Sequence, residues 1–314
     1  MKTLLLNHQH VECGVHQFAK RVYNLCLKST KTKCFYSVVS NREEYIRAIK
    51  LIKPDFIIYN YHKDRMEWLQ KEDIIGNTAA KHYFIYHDDG IFSYYDKYLF
   101  FGSISCNEKI CEPEKRIILP RPLIDYTGPY PINNVPNIGS FGFAFNHKQY
   151  HLLVQLVNKQ FDKAVINLHL TKPYFGDTKG NKIADIIKMC HRYNKKRGIK
   201  LNITTDFIND QQLLTRLAAN DINVFMYNVK VNMNHGLSSA LDYALSVDRP
   251  IAISNNSMFQ HIRSQDILLE HNSLLAILKK GLAPLAEHRT KWSTNNFITE
   301  LDEFLSNEYI NIES

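Results

Sequence analysis

Short runs of β-branched and aromatic residues alternate with amphipathic helical segments along this 314-residue chain, and that alternation limits the fold to α/β layers with parallel sheets. In the first half the spacing predicts strands at Thr3–Asn7, Phe35–Val39, Phe56–Tyr59, Tyr83–Tyr86, Ser103–Ser105 and Ile117–Leu119. A helix over Val15–Lys28 carries Phe18, Val22 and Leu25 on one side. Five of the ten prolines then fall in Pro120–Pro136, which reads as an extended interdomain linker because proline removes donors and fixes φ. The pattern restarts beyond it. Strands are predicted at Ile138–Phe143, Ala164–Leu170, Leu201–Thr205, Val224–Tyr227 and Ile251–Ser254, with helices near Lys148–Val157, Lys182–Tyr193, Gln211–Ala219 and Leu237–Val247. Two such domains are expected, residues 1–128 and 129–288, with ligands at the carboxyl ends of the strands in a cleft.

No run reaches the roughly 18–20 apolar residues of a membrane span, and MKTLLLNHQH is too short in its apolar part for a signal peptide. The expected location is therefore cytoplasmic, and the six scattered cysteines, with no CxxC pair, are expected as thiols. A net charge of +8 points to anionic partners. The densest basic cluster is Lys188, Arg192, Lys195, Lys196, Arg197 and Lys200. It reads first as a solvated helix end; a peripheral contact at the inner face of a membrane, or with nucleic acid, stays open behind it. Motifs for a P-loop, a serine hydrolase elbow, a zinc protease helix and a dinucleotide turn are all missing.

The stretch Val231–Pro250, VNMNHGLSSALDYALSVDRP, carries the most chemistry. Gly236 lets backbone approach a ligand, and Leu237, Ser238 and Ser239 open a helix whose free N–H groups suit an anion. Asp242 lies one turn beyond Ser238, placed to hold hydroxyls beside that anion. A phosphate with an adjacent carboxylate suggests a nucleotide-sugar site.

Around these residues the second half resembles the donor-binding domain of GT-B fold glycosyltransferases, particularly the retaining group that uses nucleotide sugars. NIGSFGFAFNHKQYHLLVQLV resembles that domain's opening strand, basic residue and helix. Lys148 falls where the family places a lysine on the donor diphosphate, whereas Phe143 and Ala144 stand where an arginine is usual. Asn234 and Asp242, with seven residues between them, resemble the family's Glu-x7-Glu pair with an amide in the first position. The resemblance covers residues 137–262 well and the first half by architecture alone. It implies two Rossmann-like domains facing a cleft, a C-terminal helix (289–306) crossing back to the first domain, and sugar transfer with retention. It implies no cofactor beyond the nucleotide-sugar substrate, and no metal, because protein groups meet the diphosphate charge.

In the first half, His87 and Asp88 follow a predicted strand, where the same group of enzymes often has a histidine facing the transfer centre. His87 is read as contacting sugar or acceptor and Asp88 as its partner; a plain turn is the alternative. The loop HQHVECGVH has zinc-ligand residue types at a spacing that matches no established zinc site. Gly14 and His16 in it are read as contacts to donor phosphate or acceptor. Asp206 ends a strand and either approaches the base or ribose or caps the following helix. Trp292, Phe297, Leu301 and Phe304 give the last helix an apolar face that needs burial. The leading reading is a glycosyltransferase of polysaccharide biosynthesis type with a glycan or lipid-linked acceptor. Behind it stand a catalytically weakened nucleotide- or glycan-binding protein and a transferase acting on modified DNA bases.

Overall fold

A computed structural model of the chain describes residues 1–87, 92, 94–103, 112–173, 176–229 and 236–313. The chain forms two compact units. One comprises Met1–Leu123, the segment from Thr290 onward and, with them, Gly236 and Leu237; the other runs from Ile124 to Arg289 apart from that excursion.

The first unit is built on β1 (Lys2–His8), α1 (Gly14–Cys26), β2 (Lys33–Val39), α2 (Arg42–Ile52), β3 (Phe56–Tyr59), α3 (Lys71–Ile75), β4 (Lys81–Ile85), β5 (Lys97–Phe101) and β6 (Arg116–Leu119). Its six strands are parallel in the order β2-β1-β3-β4-β5-β6. Leu4, Leu5 and Leu6 of β1 are wholly buried, as a strand covered on both faces requires. Helix α1 buries Phe18, Ala19, Val22 and Leu25 on one side. Asn41 starts α2 by accepting the Glu44 N–H at 3.0 Å. The expected strand at Ser103–Ser105 is instead β5, which ends at Phe101; residues 104 and 105 lie outside those described. There the aromatic run KYLFF fills the interior.

The second unit contains β7 (Asn137–Phe143), α4 (Tyr150–Gln160), β8 (Ala164–Thr171), α5 (Asn181–Tyr193), β9 (Ile199–Thr204), α6 (Asp210–Ala218), β10 (Ile222–Phe225), α7 (Ala240–Leu245), β11 (Ile251–Ile253), α8 (Leu274–Lys280) and α9 (Ala286–Lys291). Its five strands are also parallel, in the order β11-β10-β7-β8-β9. An amide row crosses this sheet: Asn202 donates to Asn167 at 2.9 Å, Asn167 to Asn220 at 2.9 Å, and Asn220 to Asn223 at 2.9 Å. Gly139 stands in the row between Asn167 and Asn223, and a Cβ there would overlap the Asn220 amide. The missing side chain makes room for an amide from the α6–β10 turn.

Residues 120–136 form no helix or strand. From Ile124 on they are tied to the second unit. Ile124 N–H donates to Ser246 Oγ at 2.9 Å, Asn133 to the Ala219 carbonyl at 3.1 Å, and Arg249 to the Pro131 carbonyl at 2.8 Å.

The final helix, α10 (Thr294–Glu313), returns to the first unit, as expected. Phe297, Leu301 and Leu305 are buried among Leu5, Phe18, Leu25, Phe101 and Leu119. Ser29 and Thr32 hydroxyls donate to Asp302, and Tyr83 donates to Glu308 at 2.9 Å. Trp292 precedes the helix and is buried over Gly102.

Candidate functional site

In each unit the strand order reverses beside its first strand, between β1 and β3 and between β7 and β10. Connections leave such a point in opposite directions, which opens a crevice at the carboxyl ends of the two strands. Both crevices hold concentrated polar chemistry.

At the second unit's switch point, β7 runs into a tight turn, Asn146–Lys148, before α4. The Lys148 ammonium lies 5.2 Å from the centroid of the Tyr227 ring and crosses Gly142, where a Cβ would collide with it. Gly142 has φ +132°, a backbone region that glycine enters without strain. The Asn228 N–H donates to the His147 carbonyl at 2.7 Å, fastening the turn to the strand end after β10. A cation beside the start of an 11-residue helix, α4, is suited to an anion.

A cavity of about 200 Å³ lies between α6 and the β7–β9 face, lined by Asn167, His169, Asn202, Thr204, Arg216 and Asn220, among others. Arg216 donates to Thr204 Oγ1, which is also hydrogen-bonded to His169 Nδ1 at 2.8 Å. Burial first, then the Arg216 charge, pushes His169 down to about 4, so its ring is neutral.

The first unit's switch point is a network of amides and imidazoles. Asn60 is wholly buried; its amide donates to Asn7 Oδ1 at 2.7 Å and to the Val15 carbonyl at 2.9 Å. Asn60 Oδ1 is therefore an acceptor, and His87 Nε2–H donates to it at 2.6 Å. Nδ1 is left as the acceptor of the His87 ring. Burial, then the positive charges of Arg121, His62, His8 and Arg21, pushes His87 down to about 3. Phe18 packs edge-on against His87, with Arg21 and Arg121 guanidiniums 5.4 and 5.1 Å from its ring centroid.

Around His8 three more imidazoles gather, His10, His16 and His62, at ring-centroid distances of 5.8, 5.6 and 5.7 Å. The His10 N–H donates to His8 Nδ1 at 3.2 Å, so the neutral ring carries its proton on Nε2. Among the described residues that buried Nε2–H has no acceptor, an arrangement that costs about 1–3 kcal/mol. Burial, then the charges of His16, His62, His10 and Arg65, pushes His8 down to about 3. Among the described residues no group of three or more His, Cys, Asp or Glu is arranged to hold a metal ion.

The expected site residues divide between these places. Gly14 and His16 open α1, and His16 Nδ1 donates to the His8 carbonyl at 2.6 Å. Gly236 lies against the His87 backbone, where a Cβ would run into the His87 carbonyl oxygen. Helix α7 starts at Ala240 rather than Leu237 and ends at Leu245, so Leu237, Ser238 and Ser239 form its approach. Ser238 is buried; its N–H donates to the Met258 carbonyl at 2.9 Å and its hydroxyl to Tyr227 at 3.4 Å. Asp242 is wholly enclosed within α7. Asp206 is exposed beyond β9, and the cap of α6 is Asn209, which accepts the Gln212 N–H at 2.9 Å. Asp88 and Asn234 lie outside the described residues. Asn7, Asn60, His62, Arg65, Gly142 and Tyr227 escaped the sequence reading. Asn60 and Tyr227 do carry one signal: each stands at the end of a predicted strand, where a parallel sheet presents its ligand contacts.

No family model and no curated protein sequence matches this chain. Solved structures match over nearly its whole length. HepE of Anabaena, in complex with UDP and glucose, superposes with a TM-score of 0.68 at 12% identity, covering 98% of this chain and 99% of that one. The chain has the GT-B glycosyltransferase fold. Two further GT-B structures agree with it. AviGT4, a glycosyltransferase involved in avilamycin A biosynthesis, gives a TM-score of 0.66 at 12% identity, over 99% of this chain and 98% of its own. The lipopolysaccharide outer core galactosyltransferase WaaB gives 0.61 at 9% identity, over 98% and 100%. In this GT-B chain no described helix is long and apolar enough to cross a membrane.

Proposed function

We propose that this protein transfers a sugar from a nucleotide-sugar donor to a hydroxyl of a glycan or lipid-linked acceptor. The observation that carries the reading is the Lys148 ammonium, held across Gly142 and Tyr227 at the second unit's switch point, in a fold whose relative HepE was solved with UDP and glucose. Lys148 and the first N–H groups of α4 meet the charge that develops on the departing diphosphate, in place of a metal ion. Leu237, Ser238, Ser239, Asn234 and Asp242 shape the donor side, and Gly236 lets this segment lie against the His87 backbone. Asp206, exposed beside the strand that carries Thr204, faces the base or ribose.

The first unit takes the acceptor. His87, neutral and with Nε2–H fixed on Asn60, presents Nδ1 to the accepting hydroxyl and orients its lone pair; Asp88 assists. Gly14 and His16 border the same crevice. The acceptor class rests on the match to WaaB, a lipopolysaccharide outer core galactosyltransferase. The six basic residues from Lys188 to Lys200 are exposed. Those from Lys195 on lie at the amino end of β9, opposite the ligand end, and leave a membrane contact compatible with transfer.

The test is release of UDP from UDP-glucose and UDP-galactose, with and without acceptor, by the native chain and by Lys148→Ala. Turnover is expected from the native chain and loss of about 10²–10³ in kcat/KM from the variant. Equal turnover by both removes Lys148 from the reaction. UDP binding without any transfer moves the chain to the class of nucleotide-binding proteins of this fold.

A further inference from the structure

We propose that the histidine cluster at the carboxyl ends of β1 and β3 is a phosphate site, and that it selects an acceptor carrying a phosphate near the hydroxyl it offers. This rests on the reading of the first unit as the acceptor side. Four imidazoles reach the place from two stretches of chain: His8, His10 and His16 from the run that links the end of β1 to the first turn of α1, and His62 from the segment after β3. His62, brought beside that run by the pairing of β1 with β3, completes the cluster.

The groups that act on His8 are His16, His62, His10 and Arg65, each able to carry positive charge. Arg65 acts on His10 as well. His8 is 1% exposed, and its Nε2–H has no acceptor among the described residues. His62 Nδ1 is likewise buried without a partner. Buried donors kept unsatisfied are rare unless a ligand completes them. An oxyanion placed here gains the His8 N–H and the Arg65 field together, and a phosphate has oxygens enough to bond donors on several sides. His10, His62 and Arg65 are only partly buried, so the cluster is open to solvent on that side.

The experiment is calorimetric binding of sn-glycerol 3-phosphate to the full chain saturated with UDP, with glucuronate as the carboxylate control. Vesicles of phosphatidylcholine with and without phosphatidic acid test a lipid source of the same group. His62→Ala and Arg65→Ala are chosen because neither residue is fully buried, and melting curves verify that both fold. Glycerol 3-phosphate is expected to bind, and its Kd to rise about tenfold or more in each variant while that for UDP stays within about twofold. Tighter binding to the phosphatidic acid vesicles assigns the group to a lipid headgroup; soluble binding alone assigns it to a glycan phosphate. The proposal is overturned if the ester fails to bind the UDP-loaded chain, if UDP displaces it, if glucuronate binds as tightly, or if both variants bind like the native protein. A chain that binds the ester but transfers no sugar defeats the transferase reading and leaves this site standing.

Discussion

The two parallel sheets share a plan and differ in what they place at the point where strand order reverses. In the second unit that point holds one cation over an aromatic ring and a glycine, next to a helix start. In the first it holds a closed network, Tyr36–Asn7–Asn60–His87, beside four imidazoles. Topology decides where a ligand goes; the side chains just past each strand decide what kind it is. The second site suits a charge that appears and leaves. The first suits a hydroxyl that must be held in one orientation, because each member of the network fixes its neighbour's donor and acceptor atoms.

The sharpest break between the units should come from deleting the chain from Thr294 onward. Phe297, Leu301 and Leu305 each bury fully into the first unit, and their loss removes roughly 5–9 kcal/mol, comparable to the stability of a whole domain. Calorimetry should show the first unit's transition gone and the second's kept; loss of both, or of neither, contradicts the assignment of α10.

Acid should separate the units next. His8 and His87 in the first unit are pushed down to about 3, and His169 in the second to about 4. The unfolded chain takes up these protons near pH 6.5, so the stabilisation is complete above that value. It falls as pH drops toward the folded values, by up to roughly 2–3 kcal/mol per histidine over two pH units. Between pH 6.5 and 4.5 the first unit should therefore lose more stability than the second, readable as amide exchange rates in β1 and β3 against β7 and β8. Equal acceleration in both sheets would refute the difference.

Lys148→Ala should weaken UDP binding by about 10–100-fold, the worth of a charge-assisted contact, and leave the melting of the first unit unchanged. An unaltered Kd places the diphosphate elsewhere. Asn60→Ala is the mildest probe. It releases His87 Nε2–H, and we expect kcat to fall by about tenfold with UDP affinity unchanged. A fall in UDP affinity instead would show that Asn60 serves the donor.

Much of the scaffold was legible. Parallel strands buried on both faces announce themselves as apolar runs, which is why β1, β3, β7 and β8 were found within a residue or two. The strand β5 was misplaced because aromatic KYLFF sits close to a serine-rich run and periodicity does not separate them. Helix α7 was drawn too long because Leu237 continues the apolar spacing, whereas the backbone at Ser238 turns aside to the Met258 carbonyl. His16, His87 and Lys148 were singled out from strand ends and resemblance. Asn60 and His62 were not, because an amide or imidazole after a strand looks like any turn residue until its partner is known.

Sequence alone determined the alternation of strand and helix, the apolar face of the last helix, and the presence of a basic residue after β7. These depend on local spacing and on burial, which each segment carries in its own residues. The tertiary structure decided which strands are neighbours, and so which side chains share a crevice. His8, His16 and His62 meet, and Asn220 fills the space above Gly139, because hydrogen bonding between strands brings together residues that are far apart in the chain. Protonation followed from that step. Imidazoles with an ordinary pKa near 6.5 became neutral groups with fixed tautomers once burial and neighbouring charges acted on them, and neither can be read from a residue's position in the chain.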